Sequence, residues 1–214
     1  MRAILIVLGV AMAMPTTVAQ QRDTHARLFP PEQLGLLEGP DRDEWQQPDR
    51  VMDELGIFDG ARVADVGAGG GWFTIRLAER VGPNGVVYAE DIQPQMIESI
   101  KRRVARIPLT NVRTTIGTPT DPQLPPGLHA VLMVDTYPQI PEPVALLKKI
   151  AQSLAPNGKL GIVDFKPDGG GGPGPDRHER VSAEVIKGHA AAAGLKLRSH
   201  ETFLRYQYLL IFGK

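Results

Sequence analysis

The stretch from Ala61 to Phe73, ARVADVGAGGGWF, decides the fold of this chain. Its first part, residues 63–66, is apolar except for one acid and predicts a short buried strand. A glycine-rich turn follows, and an amphipathic helix is expected over residues 72–81. Glycine suits a sharp turn from strand to helix, because it adopts positive φ and lets backbone N–H groups approach a ligand. The stretch therefore predicts a site for a nucleotide-like cofactor.

The spacing of the glycines separates two classes of cofactor. The dinucleotide fingerprint is G-x-G-x-x-G, in which the third glycine lets the helix pack closely on the strand. Gly67 and Gly69 match its first two glycines, but Trp72 stands in the third place, and this bulky side chain argues against NAD or FAD. The pattern Asp65-x-Gly67-x-Gly69-x-Gly71 instead resembles motif I of the class I S-adenosylmethionine-dependent methyltransferases.

A second apolar segment, Gly85 to Ala89, ends in two acids, Glu90 and Asp91. An acid at the tip of the second strand can accept hydrogen bonds from both hydroxyls of a ribose. The resemblance assigns this role to Asp91, because in the family the acid directly precedes a residue like Ile92, and Glu90 is the alternative. Taken alone, the two acids are equally consistent with a solvated strand end that caps the next helix. Their distance from motif I favours the ribose site.

The rest of the chain alternates between strand patterns and helix patterns, which predicts a mostly parallel sheet with helices on both faces. The resemblance implies the full fold class, an α/β, doubly wound, Rossmann-like sheet of seven strands in the order 3-2-1-4-5-7-6 with an antiparallel last strand. The predicted parts are a signal peptide at residues 1–19, an N-terminal lid segment at 20–60 and a methyltransferase domain at 61–214.

Charge and composition exclude some kinds of partner. Lys plus Arg and Asp plus Glu each number 24 in 214 residues, so the formal net charge is zero. No net field would attract nucleic acid or an anionic membrane, which favours small or uncharged partners. Cysteine is absent and the five histidines lack a metal-binding spacing such as H-E-x-x-H. We therefore expect neither a disulfide nor a metal site.

The first residues have the pattern of an export signal. Arg2 precedes an apolar run from Ala3 to Met14, and Thr17-Val18-Ala19 is a small-residue cleavage site. The run is shorter than the about twenty residues that cross a bilayer, so no membrane span is expected after cleavage. The expected location is a bacterial periplasm, where a domain of this size holds its core without disulfides. The alternative is a core strand or helix at the N-terminus.

Two other segments are predicted to lie near the site. In the family, residues before the first strand commonly cover the cofactor, so Arg42 and Trp45 are expected over it; alternatively, Trp45 packs this segment onto the core without touching the ligand. Residues 168–176, DGGGGPGPD, are low in complexity and are expected to form a mobile surface loop, either a substrate gate or a disordered insertion. His189 is expected on the surface of a helix at 181–193.

The resemblance also implies the roles of single residues. The glycine turn with Asp65 would hold the methionine part of the cofactor, and Thr118 the adenine edge, although many relatives have an acid in that place. Asp135 and Tyr137 would lie at the reacting end. The predicted cofactor-binding residues are Asp65, Gly67, Ala68, Gly69, Gly71, Asp91, Ile92, Thr118 and Asp135. The predicted catalytic residues are Tyr137 and His178.

The chain as a whole resembles the type 11 group of methyltransferases that act on small molecules, so S-adenosylmethionine and a small-molecule methyl acceptor are the expected ligands. More narrowly, the segments 45–48, 134–137 and 177–180 resemble a set of exported bacterial methyltransferases. In that set a histidine often follows the tyrosine, whereas this chain has Pro138. Pro138 and Thr118 leave a second function open, a binding or interaction protein of the same fold that has lost turnover.

Overall fold

A computed structural model of the protein describes residues 27–169 and 172–214. The predicted signal peptide and the start of the predicted lid segment, residues 20–26, lie outside the described residues. None of the helices in the two described ranges combines the length and the hydropathy that a membrane crossing needs.

The centre of the molecule is a seven-stranded sheet with the order β3-β2-β1-β4-β5-β7-β6. Its strands are β1 (Arg62–Val66), β2 (Val86–Asp91), β3 (Val112–Ile116), β4 (Leu128–Val134), β5 (Leu154–Phe165), β6 (Lys196–Glu201) and β7 (Gln207–Gly213). Strands β1 to β5 pair in parallel, and β7 runs antiparallel to both β5 and β6. The predicted fold class, strand order and antiparallel last strand are confirmed.

Within the described residues, six α-helices connect and cover the strands. They are α1 (Arg42–Gln46), α2 (Pro48–Leu55), α3 (Trp72–Val81), α4 (Pro94–Val104), α5 (Pro143–Ser153) and α6 (Ala183–Ala192). Short 3-10 helices lie at Pro31–Leu37, Tyr137–Gln139 and Arg177–Glu179. Helix α3 has the predicted bounds. Helix α6 is shorter than the predicted 181–193, because the Ser182 side chain accepts a hydrogen bond from Val185 N and caps its start.

Both faces of the sheet are buried, as its parallel strands require. Alternate residues of β1 show the division: Ala64 and Val66 belong to the core with α5 and α6, and Val63 belongs to the core with α2 and α3. Leu147 and Leu77 are fully buried in these two cores respectively. The sheet interior is therefore apolar, and polar groups are left to the ends of the strands.

Strand β5 starts earlier than the sequence predicts. Its pairing with β4 passes from Leu128–Leu154 to Ala130–Lys159, so residues 155–158 have no partner in this ladder. The turn predicted at Pro156-Asn157-Gly158 is thus a bulge inside the strand, while the predicted pairing segment from Lys159 to Phe165 is retained.

The parallel strands end at one edge of the sheet. Strand order reverses between β1 and its neighbour β4, and in open α/β sheets the crevice at such a point binds ligands. Gly67, Gly117 and Asp135 directly follow β1, β3 and β4, and Asp91 is the last residue of β2. The fold therefore brings these four residues to one edge.

Candidate functional site

A cavity of about 140 Å³ lies at this edge of the sheet. All the predicted cofactor-binding residues except Gly71 line it, namely Asp65, Gly67, Ala68, Gly69, Asp91, Ile92, Thr118 and Asp135. The N-terminal segment also contributes, with Phe29, Leu34 and Arg42. Among the described residues, the lining does not include Tyr137 or His178. The fold thus collects the predicted cofactor residues in one place and leaves the predicted catalytic residues outside it.

The turn after β1 has the conformation that its glycines predict. Gly67, Gly69 and Gly71 have φ values of 68°, 54° and 82°, in the left-handed region. Space also demands glycine at the first position, because a Cβ on Gly67 would lie 2.3 Å from Thr136 Cγ2. The turn therefore approaches the segment after β4 more closely than a side chain would allow.

Asp91 joins the glycine turn to the segment that follows β2. Its Oδ2 accepts a hydrogen bond from Gly69 N at 3.0 Å, and its Oδ1 accepts one from Gln93 N at 2.9 Å. The residue is only 6% exposed, and burial raises the pKa of its carboxyl. The two backbone donors hold the carboxyl in one orientation at the wall of the cavity.

Two further buried acids flank the turn. Asp65 Oδ2 accepts a hydrogen bond from Thr74 Oγ1 at 2.6 Å, and burial raises the pKa of Asp65 to about 6. Glu90 Oε2 accepts a long hydrogen bond of 3.4 Å from Gly67 N. Burial, followed by the nearby charge of Asp91, raises the pKa of Glu90 to about 8. The turn is thus surrounded by carboxyl groups, an arrangement that favours a positively charged ligand.

Arg42 of α1 supplies a buried positive charge to the cavity wall. Its guanidinium lies 4.2 Å from the centre of the Trp72 ring and 3.8 Å from Asp135 Oδ2. Its Nε donates to Gln46 Oε1 at 2.5 Å. Burial lowers the pKa of Arg42, and the charge of Asp135 opposes that shift. Arg42 therefore lies over the site, as the lid interpretation predicts.

Asp135, directly after β4, is held by two buried amides. Gln207 Nε2 donates to its Oδ1 at 2.5 Å, and Gln46 Nε2 donates to its Oδ2 at 3.3 Å. Its backbone φ of 55° is uncommon for a residue with a Cβ, and such strain concentrates at functional sites. Burial raises the pKa of Asp135 to about 6. Neither glutamine was predicted from the sequence, although Gln207 stands out as an amide in an otherwise apolar strand.

The segment before α1 covers the cavity. Gln93 Nε2 donates to Phe29 O at 3.1 Å, and Phe29 N donates to Gln139 Oε1 at 3.3 Å. The Phe29 backbone therefore bridges the segments that follow β2 and β4. Leu34 lies over the glycine turn, with its Cδ2 3.3 Å from the place of a Cβ on Gly70.

Trp45 lies outside the cavity lining. Its ring packs against Phe165 at 6.0 Å and against Tyr206 at 6.2 Å between ring centres. Of the two interpretations for Trp45, the structure favours the one in which it fastens the N-terminal segment to the core.

The predicted catalytic residues have other surroundings. Tyr137 is buried and its Oη lies 2.9 Å from Nδ1 of His189 on α6, which is half-buried and not on the open surface as predicted. Burial raises the pKa of Tyr137. His178 is exposed. The catalytic roles of Tyr137 and His178 stay predictions, and the geometry gives neither side chain access to the cavity.

Thr118 lines the cavity, but its hydroxyl is engaged elsewhere. Thr118 Oγ1 accepts from Asp121 N at 3.0 Å and lies 3.2 Å from Asp121 O, to which it donates. This local turn leaves the hydroxyl little capacity for the adenine contact that the sequence analysis assigned to it.

Comparison with known proteins identifies related sequences and folds. Residues 63–158 match a family model described as a methyltransferase domain. Nocamycin O-methyltransferase of Saccharothrix syringae is 31% identical over 122 residues, which are 55% of this chain and 42% of that protein. Protein-L-isoaspartate O-methyltransferase of Methanothrix thermoacetophila is 31% identical over 115 residues, 52% of this chain and 51% of that protein. The chain thus spans about half the length of the curated relatives it matches.

A solved structure resembles nearly the whole described fold. The crystal structure of a SAM dependent methyltransferase from Aquifex aeolicus superposes with a TM-score of 0.81 at 27% sequence identity. The match covers 86% of this chain and 98% of that chain.

Proposed function

We propose that this chain, which carries a methyltransferase domain of the class that uses S-adenosylmethionine, transfers a methyl group to a small-molecule acceptor. The observation that carries the proposal is the pairing of Asp91 with the glycine turn. The buried Asp91 carboxyl is fixed by hydrogen bonds from Gly69 N and Gln93 N. It lines the cavity together with the glycine turn. A fixed carboxyl acceptor suits the two ribose hydroxyls of the cofactor, and the adjacent glycine turn suits its charged methionine part.

The residues present fit the cofactor. S-adenosylmethionine carries a sulfonium and an ammonium group, and two acids beside the turn, Asp65 and Asp91, offer the opposite charge. Its carboxylate needs a cation, and Arg42 is buried in the same wall. When bound, the cofactor supplies an electrophilic methyl group.

The protein's contribution to the reaction is alignment and exclusion of water. Methyl transfer is an in-line displacement, for which fixed geometry and a dry site supply much of the rate without a dedicated base. The segment with Phe29 and Leu34 lines and covers the cavity, where it would exclude solvent from bound ligands. Asp135, held by Gln46 and Gln207, is a rigid acceptor that orients a polar group of the acceptor molecule.

A relative and the charge balance of the chain support a small acceptor, and the present size of the cavity does not define it. The cavity volume of about 140 Å³ lies below the usual range for ligand sites of roughly 300–1,000 Å³. The covering segment must therefore shift when ligands enter. Nocamycin O-methyltransferase acts on a small molecule by its name, and the balanced charge of this chain favours the same kind of acceptor.

One observation favours the alternative, a protein that binds the cofactor without turnover. Both oxygens of Asp135 already accept hydrogen bonds from Gln207 and Gln46, and Tyr137 lies outside the cavity. The alternative predicts tight binding of S-adenosylmethionine and no transfer to any acceptor.

We also propose that the protein belongs to the exported bacterial subgroup and acts in the periplasm. The apolar run at Ala3 to Met14 and the cleavage site at residues 17–19 support this location. Cell fractionation followed by N-terminal sequencing of the mature chain tests it. A mature chain beginning at Gln20 in the periplasm is expected, whereas a cytosolic chain beginning at Met1 would overturn the proposal.

Calorimetric titration of residues 20–214 with S-adenosylmethionine and S-adenosylhomocysteine tests the proposed function. We expect both to bind and NADH not to bind. A screen of small acceptors, scored by formation of S-adenosylhomocysteine, then separates enzyme from binding protein. Binding of neither cofactor form would contradict both functions.

A further inference from the structure

The covering segment, residues 28–38, is loosely held in its middle. Its 3-10 helix, Pro31–Leu37, contains no buried residue. Leu34 rests on the glycine turn, and Glu38 forms a partly exposed ion pair with Arg103 of α4. Exposed ion pairs contribute little, and a segment with few buried apolar contacts opens at low cost. The middle of the segment can therefore move without disturbing the core.

The two ends of the covering segment are fixed more firmly. On its C-terminal side, α1 is held by the fully buried Gln46, which donates to Gln207 Oε1 at 3.1 Å. The ring contact between Trp45 and Phe165 adds to this attachment. On the N-terminal side, two amide side chains hold the backbone of Phe29. The segment is thus anchored at both ends and loose between them.

The two amides bind the Phe29 backbone with opposite polarity. Gln93 Nε2 donates to Phe29 O at 3.1 Å, and Gln139 Oε1 accepts from Phe29 N at 3.3 Å. The backbone fixes which atom each amide presents, because a carbonyl only accepts and an N–H only donates. No side-chain atom of residue 29 takes part in these two hydrogen bonds, so this Phe29 anchor depends on the two glutamines.

Both glutamines belong to segments that shape the site, and both line the cavity. Gln93 N donates to Asp91 Oδ1 at 2.9 Å, so the carboxyl that would bind the ribose also fixes residue 93. Gln139 ends the 3-10 helix that follows β4 and Asp135. The Phe29 anchor is therefore built on the ends of β2 and β4, on either side of the glycine turn.

We propose that Gln93 and Gln139 are positioning residues, which keep the Phe29 end of the covering segment in place while its middle moves aside for ligands. The cavity of about 140 Å³ lies below the usual range of roughly 300–1,000 Å³, so some part of its cover moves on binding. With the anchor intact, the middle returns over the bound cofactor and slows its release. This inference rests on the proposed function, because it requires the cofactor in the cavity.

The dissociation rate of S-adenosylhomocysteine tests the proposal. Stopped-flow tryptophan fluorescence measures it, since Trp72 lines the cavity. Gln93→Ala and Gln139→Ala should each raise the rate by about threefold to tenfold, the effect of losing one hydrogen bond. Gln95→Ala, which changes an exposed glutamine of α4, is the matched control and should leave the rate within about twofold of wild type.

The opposite polarity of the two bonds gives a sharper pair of variants. Gln139→Glu keeps an acceptor for Phe29 N, so its dissociation rate should stay within about twofold of wild type. Gln93→Glu replaces the donor with an acceptor that faces Phe29 O, so it should raise the rate at least as much as Gln93→Ala. A residue that only supports the fold would not distinguish these two substitutions in this way.

The outcomes separate this proposal from the proposed function. Wild-type dissociation rates in both alanine variants would overturn the role of the glutamines and leave the cofactor assignment intact. Slower dissociation would also overturn it, because the anchor would then obstruct the site. Equal increases for Gln139→Glu and Gln139→Ala would show that the bond to Phe29 N is not the cause. Failure of the wild type to bind S-adenosylhomocysteine would overturn the proposed function, and this inference with it.

Discussion

Gly117 makes room for the carboxyl group of Glu90. A Cβ on Gly117 would lie 1.8 Å from Glu90 Oε1, far inside van der Waals contact. The backbone at Gly117 is not in the left-handed region, so glycine is required there for space and not for conformation. The buried space beside residue 117 can therefore hold either the Glu90 carboxyl or a methyl group on residue 117, but not both.

This relationship predicts a non-additive pair of substitutions. Gly117→Ala should lower the free energy of unfolding by about 1–3 kcal/mol, because the added methyl displaces Glu90. In the Glu90→Ala background the same change should cost almost nothing. Urea unfolding of both single variants and the double variant measures the coupling. Gly188→Ala is the control, since a Cβ there meets nothing within 4 Å, and equal costs in the two backgrounds would contradict the contact.

Asp91 should dominate the binding of the cofactor. Asp91→Ala removes the acceptor of Gly69 N and Gln93 N together with the proposed ribose contact. We expect the affinity for S-adenosylhomocysteine to fall by about tenfold to a hundredfold, the worth of a charge-assisted hydrogen bond. Glu98→Gln, on the exposed side of α4, is the matched control. An affinity within about threefold of wild type would remove Asp91 from the site.

The buried acids predict a dependence of stability on pH. The folded-state pKa of Glu90 is raised to about 8, so the folded protein holds this proton where the unfolded chain, with an ordinary carboxyl pKa of about 4.3, has released it. The contribution of Glu90 to stability without ligand should therefore decline as the pH rises from about 4.3 to 8 and then level off. Asp65 and Asp135, with pKa values raised to about 6, add to the lower part of this decline.

Glu90→Gln isolates the contribution of Glu90 to this decline. Because the amide does not titrate, the slope of unfolding free energy against pH between 6 and 8 should become shallower than that of the wild type. Urea unfolding at several pH values measures both slopes. Parallel slopes would show that Glu90 is ionised in the folded protein and would contradict the raised pKa.

Tyr137 is expected to matter for stability more than for turnover. Tyr137→Phe removes the hydroxyl that lies 2.9 Å from His189 Nδ1, which should cost about 0.5–1.5 kcal/mol of unfolding free energy. His189→Ala should remove the same hydrogen bond. In the His189→Ala background, Tyr137→Phe should therefore lower the free energy of unfolding by less than in the wild type. The rate of methyl transfer should stay within about twofold of wild type, as expected for a residue outside the cavity. A large loss of rate at unchanged stability would instead restore the predicted catalytic role.

Much of the fold followed from local patterns. The stretch from Ala61 to Phe73 predicted β1, the glycine turn and the start of α3, because a short apolar run and positive φ at glycine are properties of neighbouring residues. The bounds of α3 agree with the structure residue for residue. The strand order came from the family resemblance, since no local feature specifies which strands pair. The prediction that a turn at 156–158 precedes β5 was wrong, because pairing with β4 begins at Leu154 and the strand continues across these residues.

The sequence alone therefore determined the alternation of strands and helices, which gives the α/β class, and the glycine turn with Asp91, whose residues lie within about twenty positions of one another. Tertiary structure alone decided the clamp on Asp135, whose two amide partners are 89 and 72 positions away along the chain. It also decided that Tyr137 faces α6 and that Glu90 meets the cavity beside Gly117. These contacts depend on the register between strands and on how helices cover the sheet, which the periodicity of a single segment does not specify.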